Sequence, residues 1–332
     1  MLQPSYRYEQ EKYRYVYVKN REDQLSATSG GAFFLLADYI LQNGGVVCGC
    51  VWDENFVARH IVADNIDDVK RMRGSKYVQS DMQDCFQVIK ELIKEKPVLF
   101  TGTPCQTTAL HGLIGDHKNL FLCALVCGGA PSPLVWKKYS EALEQGQKSR
   151  LVRVNHRSKK NGWLCLTIEA EFANGKKVYD PMVLNPYAYA FFSGLTTNTA
   201  CVDCKFTWGK FYADMLIADA WGAQNELVKK SKNLGMSAFL SLSHKGEAMW
   251  TSIQERAEYA DCPRDEFKKG HPVLYRSKKP NPNRATFFKA LDKKDIVDNL
   301  KVNTPVRRHA GVNRFLNAIG LYGRIFTLLK KH

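Results

Sequence analysis

The sequence has no long apolar run and no apolar leader. None of its 332 residues belongs to an uncharged apolar stretch of about 18 residues, and no basic N-terminal segment precedes a short apolar core. We therefore expect a cytoplasmic protein that is neither secreted nor membrane-spanning. A reducing cytoplasm keeps thiols free, so the ten cysteines should be small buried hydrophobes or ligands of a metal or cluster.

Acidic residues are scarce. The chain has 33 Asp and Glu against 48 Lys and Arg, a formal net charge of +15. This excess predicts an acidic partner, such as an acidic electron-transfer protein, an anionic lipid or a phosphorylated cofactor. Zinc-finger spacing, an aromatic RNA-recognition motif and an uninterrupted basic stripe are all missing, so we do not expect nucleic acid.

Two units of helix, strand and glycine loop follow one another in the first half of the chain. A helical pattern at 81–95 precedes a buried strand at 97–100 and the loop at Gly102; a second helix at 106–114 precedes a strand at 120–126 and the loop at Gly128. The repeat predicts an α/β core with a mixed, partly parallel sheet that carries both loops at its C-terminal edge. Alternation at 164–172 predicts an antiparallel hairpin in an added α+β lobe.

Four cysteines lie in predicted loops beside glycine or proline: Cys105, Cys127, Cys201 and Cys204. The Cys-x-x-Cys spacing of the last two lets both thiolates face one metal or cluster, and ligands from two other loops would complete a tetrahedral set. Structural zinc fits this spacing as well as a cluster does, and the pair alone also fits chance or a redox dithiol. We assign no chemical role to the remaining six cysteines, which lie in strand, helix or turn patterns: Cys48, Cys50, Cys85, Cys123, Cys165 and Cys262.

Two glycine-containing strings offer backbone amides to an anion. The first, Ser29-Gly30-Gly31, precedes a predicted helix whose positive end suits a phosphate. The second, Gly74-Ser75-Lys76-Tyr77-Val78-Gln79-Ser80, adds a cation, hydroxyls and an amide. An ordinary helix cap and a solvated turn would have the same composition, so these strings alone do not decide between a site and a turn.

We divide the chain into four parts: an N-terminal extension (1–25), an α/β region (26–149), an α+β region that completes the cysteine site (150–270), and a basic linker with a C-terminal amphipathic helix (271–332). The first twenty or so residues and 275–284 lack apolar periodicity and are typical of linkers. From Arg314 to His332, apolar residues on one side and terminal lysines suit a helix on an anionic membrane. A helix docked on the protein's own core would look the same.

The two glycine strings are followed by Gly102-Thr103-Pro104-Cys105-Gln106, Cys127-Gly128-Gly129, a run from Arg157 to Trp163, the Cys-x-x-Cys pair and a run from Asp214 to Gly222. In order and spacing, residues 26–250 resemble the coenzyme F420 hydrogenase/dehydrogenase beta-subunit family, in the type associated with bacterial surface-polysaccharide pathways. The resemblance implies a flavoprotein oxidoreductase with FAD and one [4Fe-4S] cluster. It implies cluster ligands at Cys105, Cys127, Cys201 and Cys204. The residues it places against FAD are Ser29, Gly30, Gly31, Gly74, Ser75, Lys76, Tyr77, Gln79 and Ser80, with Thr103 near the ring; catalytic residues stay unassigned.

The sequence departs from the family pattern in several places. The first 25 residues contain no cysteine where the family has a ferredoxin-like segment, so we expect no second cluster and electrons from a separate donor or a companion redox subunit. Gly128 stands where the family has His, and Asn198-Thr199-Ala200 where it has Arg-Pro-Ser. The substrate therefore stays open between a deazaflavin-like coenzyme and a polysaccharide-pathway intermediate. A non-enzymatic accessory protein of such a pathway, stabilised by zinc or a cluster, is the alternative.

Overall fold

The computed structural model describes residues 11–279, 281–304 and 310–329. Its eleven strands over these residues are β1 (Lys12–Val18), β2 (Val46–Trp52), β3 (Ala58–Ala63), β4 (Val98–Gly102), β5 (Leu120–Leu125), β6 (Leu151–Ser158), β7 (Thr167–Phe172), β8 (Lys177–Pro181), β9 (Met215–Asp219), β10 (Ser237–Ser241) and β11 (Ala257–Asp261).

The helices of the N-terminal half are α1 (Arg21–Ser26), α2 (Ala32–Gln42), α3 (Ile66–Met72), α4 (Cys85–Leu92), α5 (Pro104–Ile114) and α6 (Pro133–Gln147). Those of the C-terminal half are α7 (Pro186–Phe192), α8 (Thr199–Val202), α9 (Glu226–Lys230), α10 (His244–Ile253), α11 (Arg264–Gly270), α12 (Pro272–Tyr275), α13 (Arg284–Lys289), α14 (Ile296–Val302), α15 (Ala310–Ala318) and α16 (Tyr322–Leu329).

Eight strands form one mixed sheet in the order β11-β1-β10-β9-β5-β4-β2-β3. The four strands β2, β4, β5 and β9 run parallel to one another, and the strands outside them pair antiparallel. Strands β6, β7 and β8 form a separate antiparallel sheet. The predicted fold class, an α/β core with a mixed, partly parallel sheet plus an α+β lobe, is confirmed.

The parallel strands are buried on both faces because helices cover both sides of the sheet. In β4, Leu99 points to the layer of α2, where it joins Leu36 and Ile40, while Phe100 points to the opposite layer with Ile89 and Leu110. A third buried cluster joins α6, α7 and α14 to the small sheet. The C-terminal ends of the parallel strands are left facing the lobe, and the loops that leave them form the site.

One boundary prediction is wrong in structural terms. Residues 12–18, which we expected in an N-terminal extension, form β1 inside the large sheet between β10 and β11. Tyr15 and Val16 are fully buried, and the Arg14 guanidinium donates to the Glu247 carboxylate at 2.7 and 2.9 Å. The strand escaped prediction because its partners are more than 200 residues away along the chain.

The C-terminal segment also differs from its prediction. A single helix from Arg314 is replaced by α15 and α16, which separate at Gly320, where φ is +72°. Residues 330–332, at the end of the predicted helix, lie outside the described residues. Where the chain is described, no helix combines the length and the apolar character that crossing a bilayer requires.

Candidate functional site

A cavity of about 580 Å³ opens at the C-terminal ends of the parallel strands. Its wall includes the last residues of β4, β5 and β9, among them Thr101, Leu125 and Asp219. The start of α2, the loop after α3 and the aromatic end of α7 close the other sides. The volume lies in the range of cofactor and ligand sites, and the position is the usual ligand crevice of a parallel sheet.

The turn before α2 forms one wall. Ser29 and Gly31 line the cavity, and Gly31 adopts φ +89°, a left-handed conformation that favours glycine. Gly30 is not part of the lining: its backbone N–H donates to Ser237 Oγ at 2.9 Å, and a Cβ there would stand 2.2 Å from the Val16 carbonyl oxygen. Gly30 therefore allows the turn to approach β1, which is a packing role.

The loop after α3 forms the facing wall. Gly74, Ser75, Lys76, Tyr77 and Ser80 all line the cavity. The Ser75 backbone N–H donates to Thr28 Oγ1 at 2.9 Å and so ties the two glycine strings together. The neighbouring side chain, that of Gln79, instead accepts a hydrogen bond from Asn198 Nδ2 at 2.8 Å.

Lys76 already has partners within the protein. Its ammonium donates to the carbonyl oxygens of Arg71, Met72 and Arg73 at 3.0 to 3.2 Å, where α3 ends. Burial lowers the pKa of Lys76 to about 8, and the nearby Cys50 thiol opposes this shift. An anion at this wall would raise the pKa of Lys76 again, because an opposite charge stabilises the ammonium.

The floor of the cavity carries a buried ion pair. Arg157 donates two hydrogen bonds of 2.8 Å to the Asp219 carboxylate, which also accepts the Trp163 indole N–H at 2.9 Å. Trp163 stacks on Trp221 with the ring planes 4° apart. The run from Arg157 to Trp163 therefore braces the end of β9 and leaves this guanidinium paired within the protein.

Two buried nitrogen atoms in the cavity wall have no hydrogen-bond partner among the described residues: His60 Nδ1 and Arg73 Nε. His60 Nε2 lies 3.2 Å from the Thr101 carbonyl oxygen, and burial lowers the pKa of this imidazole to about 4. A neutral ring that donates from Nε2 presents Nδ1 as an acceptor. The two atoms are thus a donor and an acceptor that no described residue uses.

The four predicted cysteine ligands come together beside this cavity. Cys105 is exposed at the start of α5, while Cys127, Cys201 and Cys204 are half-buried. Burial, together with the thiols of the other three cysteines, raises the pKa of the Cys127 thiol to about 12, so all four lie within electrostatic reach of one another, while the hydrogen bond from the Gly129 N–H opposes the shift. Burial and its neighbours Cys105 and Cys204 likewise raise the pKa of Cys201.

Two contacts bring these loops together. Residues 196–198 run beside the loop after β5, with a β-bridge between Pro131 and Thr197, and this places α8 over Gly129. A Cβ on Gly129 would lie 2.6 Å from a Thr197 methyl and 3.5 Å from Cys201 Cβ, so the approach requires glycine. The Gly129 N–H donates to Cys127 Sγ at 3.4 Å.

The cavity and the cysteines share a boundary. Thr103 lines the cavity, and its hydroxyl oxygen lies 3.0 Å from Cys105 Sγ. Gly128, next to Cys127, also lines the cavity. Lys278 adds a cation to the same wall and lies within electrostatic reach of Cys127 and Cys201, and burial lowers its pKa to about 8.

The donor set suits a metal group that takes several thiolates. Among the described residues, no three His, Cys, Asp or Glu side chains are close enough to hold a single metal ion. Tetrahedral zinc needs sulfur atoms about 2.3 Å from one centre, whereas a cubane cluster distributes four thiolates over different irons. The thiols of Cys105, Cys201 and Cys204 all contribute to the raised pKa of Cys127, so the four side chains lie in one neighbourhood, although among the described residues they do not form a site for a single ion.

A family model, that of the C terminus of the coenzyme F420 hydrogenase/dehydrogenase beta subunit, matches residues 95–265, more than half of the chain and all four cysteines. The chain belongs to this family. The predicted family is therefore confirmed, and membership points to an oxidoreductase-type role; the polysaccharide-pathway type stays a prediction.

Among solved structures, a chain of the F420-reducing [NiFe] hydrogenase complex from Methanosarcina barkeri is similar in fold to this chain. The TM-score is 0.55 at 16% identity, over 92% of this chain and 99% of that one. Likeness at this identity shows the fold alone. No curated protein matches the sequence.

Sequence reasoning missed part of the cavity wall. Eight of the ten predicted cofactor residues line the cavity, whereas Gly30 and Gln79 do not. The additional wall residues include His60, Arg73, Phe191 and Lys278. For Lys278, a signal was present: it lies in the segment 267–291, which contains seven Lys and Arg and no Asp or Glu.

Proposed function

We propose that the chain is an FAD- and [4Fe-4S]-dependent oxidoreductase. One observation carries this proposal: the cavity lined by Ser29, Gly31, residues 74–77 and Ser80 borders, through Thr103 and Gly128, the start of α5 with Cys105 and the loop with Cys127. A flavin exchanges electron pairs on one side and single electrons on the other, so a flavin and a cluster in contact form a useful combination.

Different residues of the cavity would bind different parts of FAD. The positive end of α2 would bind the diphosphate, helped by the charge of Lys76 on the facing wall. His60 Nδ1 and Arg73 Nε would supply polar contacts that the protein leaves unused. The aromatic side chains Tyr77 and Phe191 stack on each other at 5.1 Å and would exclude water from a flat ring.

The side chains of one cavity wall indicate the chemical class of the substrate. The wall that faces the lobe combines Phe191 and Phe192 with Lys278, an apolar surface with one cation. This combination suits a planar or apolar molecule with negative charge, such as a deazaflavin-like coenzyme or a lipid-linked polysaccharide-pathway intermediate. The alternative, a non-enzymatic accessory protein stabilised by zinc or a cluster, predicts metal without flavin.

An anaerobic visible spectrum, combined with iron, sulfide, zinc and released-flavin assays on the purified protein, tests this proposal. We expect about four irons, four sulfides and one FAD per chain. Stoichiometric zinc without flavin would contradict the oxidoreductase and support the accessory protein. Iron and sulfide without flavin would restrict the role to single-electron transfer.

We also propose that α15 rests on an anionic membrane surface. Val312, Phe315 and Ile319 are 58%, 64% and 49% exposed, and residues 299–332 contain seven Lys and Arg but no Asp or Glu. Packing on the protein's own body supports the docking alternative as well: Asn317 of α15 donates from Nδ2 to the Tyr179 carbonyl oxygen at 3.0 Å, and Tyr322 at the start of α16 is 6% exposed.

Vesicle flotation tests the membrane contact. We expect binding to phosphatidylcholine vesicles with about one third phosphatidylserine, and loss of binding to phosphatidylcholine alone or in about 0.5 M salt. Phe315→Glu should abolish flotation, since it places a charge on the apolar side, whereas Leu113→Glu, an exposed apolar position on α5, should not. Equal flotation of both variants would contradict a role of α15.

A further inference from the structure

A positively charged segment packs beside the cysteine site on the solvent side. Residues 267–291 contain seven Lys and Arg and no Asp or Glu. Three contacts hold this segment over the cysteines: Ser277 Oγ donates to the Cys204 carbonyl oxygen at 3.4 Å, the Trp208 N–H donates to the Leu274 carbonyl oxygen at 2.7 Å, and Arg284 Nε donates to that of Thr197 at 3.2 Å.

The cations of this face point to solvent. Arg276 and Lys279 are exposed beside the residues that make those contacts. On the other side, Lys205 directly follows Cys204 and pairs with Asp203, and Lys210 is also exposed and lies near the same carboxylate. Asp203 is the one acidic residue between 196 and 213, so cations outnumber carboxylates on this face.

An apolar spot accompanies the charge. Val273 is 42% exposed, and its methyl groups lie 3.6 to 3.9 Å from the position of a Cβ on Gly128, next to Cys127. Leu125, at the end of β5, is 37% exposed. An apolar centre with a charged rim is the usual composition of a transient protein interface.

We propose that this surface, defined by Cys105, Val273, Lys205, Lys210, Arg276 and Lys279, is the docking site of a small acidic electron-transfer protein. The inference rests on the proposed function, because it requires a cluster at the four cysteines. In the transfer, the reduced partner loses one electron and the oxidised cluster gains it; no bond forms or breaks. Cys105 is the exposed thiol of the four, so the cluster edge nearest to it is the entry point.

Two measurements with a strongly acidic [2Fe-2S] ferredoxin as the probe test the docking site. Calorimetry gives the Kd of the oxidised ferredoxin, and anaerobic stopped-flow gives the second-order rate at which reduced ferredoxin reduces the cluster. In the double variant Lys205→Glu, Lys279→Glu, we expect the Kd to rise and the rate to fall at least tenfold at low ionic strength. Both effects should shrink as salt is added.

The matched control is Lys229→Glu, Lys230→Glu on α9, which changes the net charge equally at two exposed positions. It should change both quantities less than twofold. Equal effects of the two double variants would overturn the docking site, as would a wild-type cluster that dithionite reduces but ferredoxin does not. A wild-type protein without iron contradicts the proposed function instead, and the Kd comparison still decides whether this surface binds the acidic protein.

Discussion

Replacing Cys127 with Ser should remove nearly all iron from the purified protein. The Cys127 thiol lies among the other three and is the one whose pKa all of them raise, so it is central to the set. A serine hydroxyl is a harder ligand and far less acidic than a thiol, so it would bind iron poorly in this half-buried place. Iron and sulfide assays, together with the visible absorbance of the cluster, should show less than about one of four irons retained.

The control for this variant is Cys262→Ala. Cys262 is buried in the core that also contains Tyr15 and lies outside the four-thiol group. It should keep a full complement of iron even if its stability falls. Retention of iron by Cys127→Ser would show that Cys127 is not a ligand, and loss in both variants would trace the effect to unfolding, which circular dichroism detects.

The elements that could be predicted from the sequence are those whose signals are local. Helix α3 has such local signals: Asn65 caps its first turn and accepts from the Asp68 N–H at 2.9 Å, Asp67 lies in the first turn, and Lys70 and Arg71 lie in the last. Likewise, the strands at 97–100 and 120–126 were recognisable as buried apolar runs between a helix and a glycine loop.

Part of the candidate site followed from the same local signals. Cys105 and Cys127 follow neighbouring parallel strands, and the C-terminal ends of such strands meet at one edge, so their proximity could be predicted. The position of Cys201 could not, because it depends on the bridge between Pro131 and Thr197 and on the absence of a side chain at Gly129.

The residues that escaped prediction have roles set by distant partners. Lys278 enters the cavity wall because its ammonium bonds to the Phe191 carbonyl oxygen, 87 residues away. A run of lysine, proline and asparagine carries no periodic pattern, so the sequence indicated a linker. By contrast, the break at Gly320 had a local signal, since glycine readily takes the positive φ that ends a helix.

Replacing Arg157 with Met should destabilise the fold strongly. The change leaves the Asp219 carboxylate buried with its principal counter-charge removed, and breaking one side of a buried pair costs about 3 to 5 kcal/mol. Urea unfolding at neutral pH should show this decrease in the free energy of unfolding. The double variant Arg157→Met, Asp219→Leu should recover part of it, because no buried charge is then left alone, whereas Lys229→Met at an exposed pair should cause no measurable change.

The pH dependence of this effect has a definite sign. Burial raises the pKa of Asp219, but Arg157 lowers it more, together with hydrogen bonds from Trp163 and Ser29, so the net shift is downward. A lowered pKa gives stability that is present above the ordinary carboxyl value of about 3.9 and is lost as the pH falls through the folded-state value. The difference in unfolding free energy between wild type and Arg157→Met should therefore be largest near neutral pH and shrink in acid. A difference that does not depend on pH would assign the loss to packing of the Arg157 side chain, because only the ion pair titrates with Asp219.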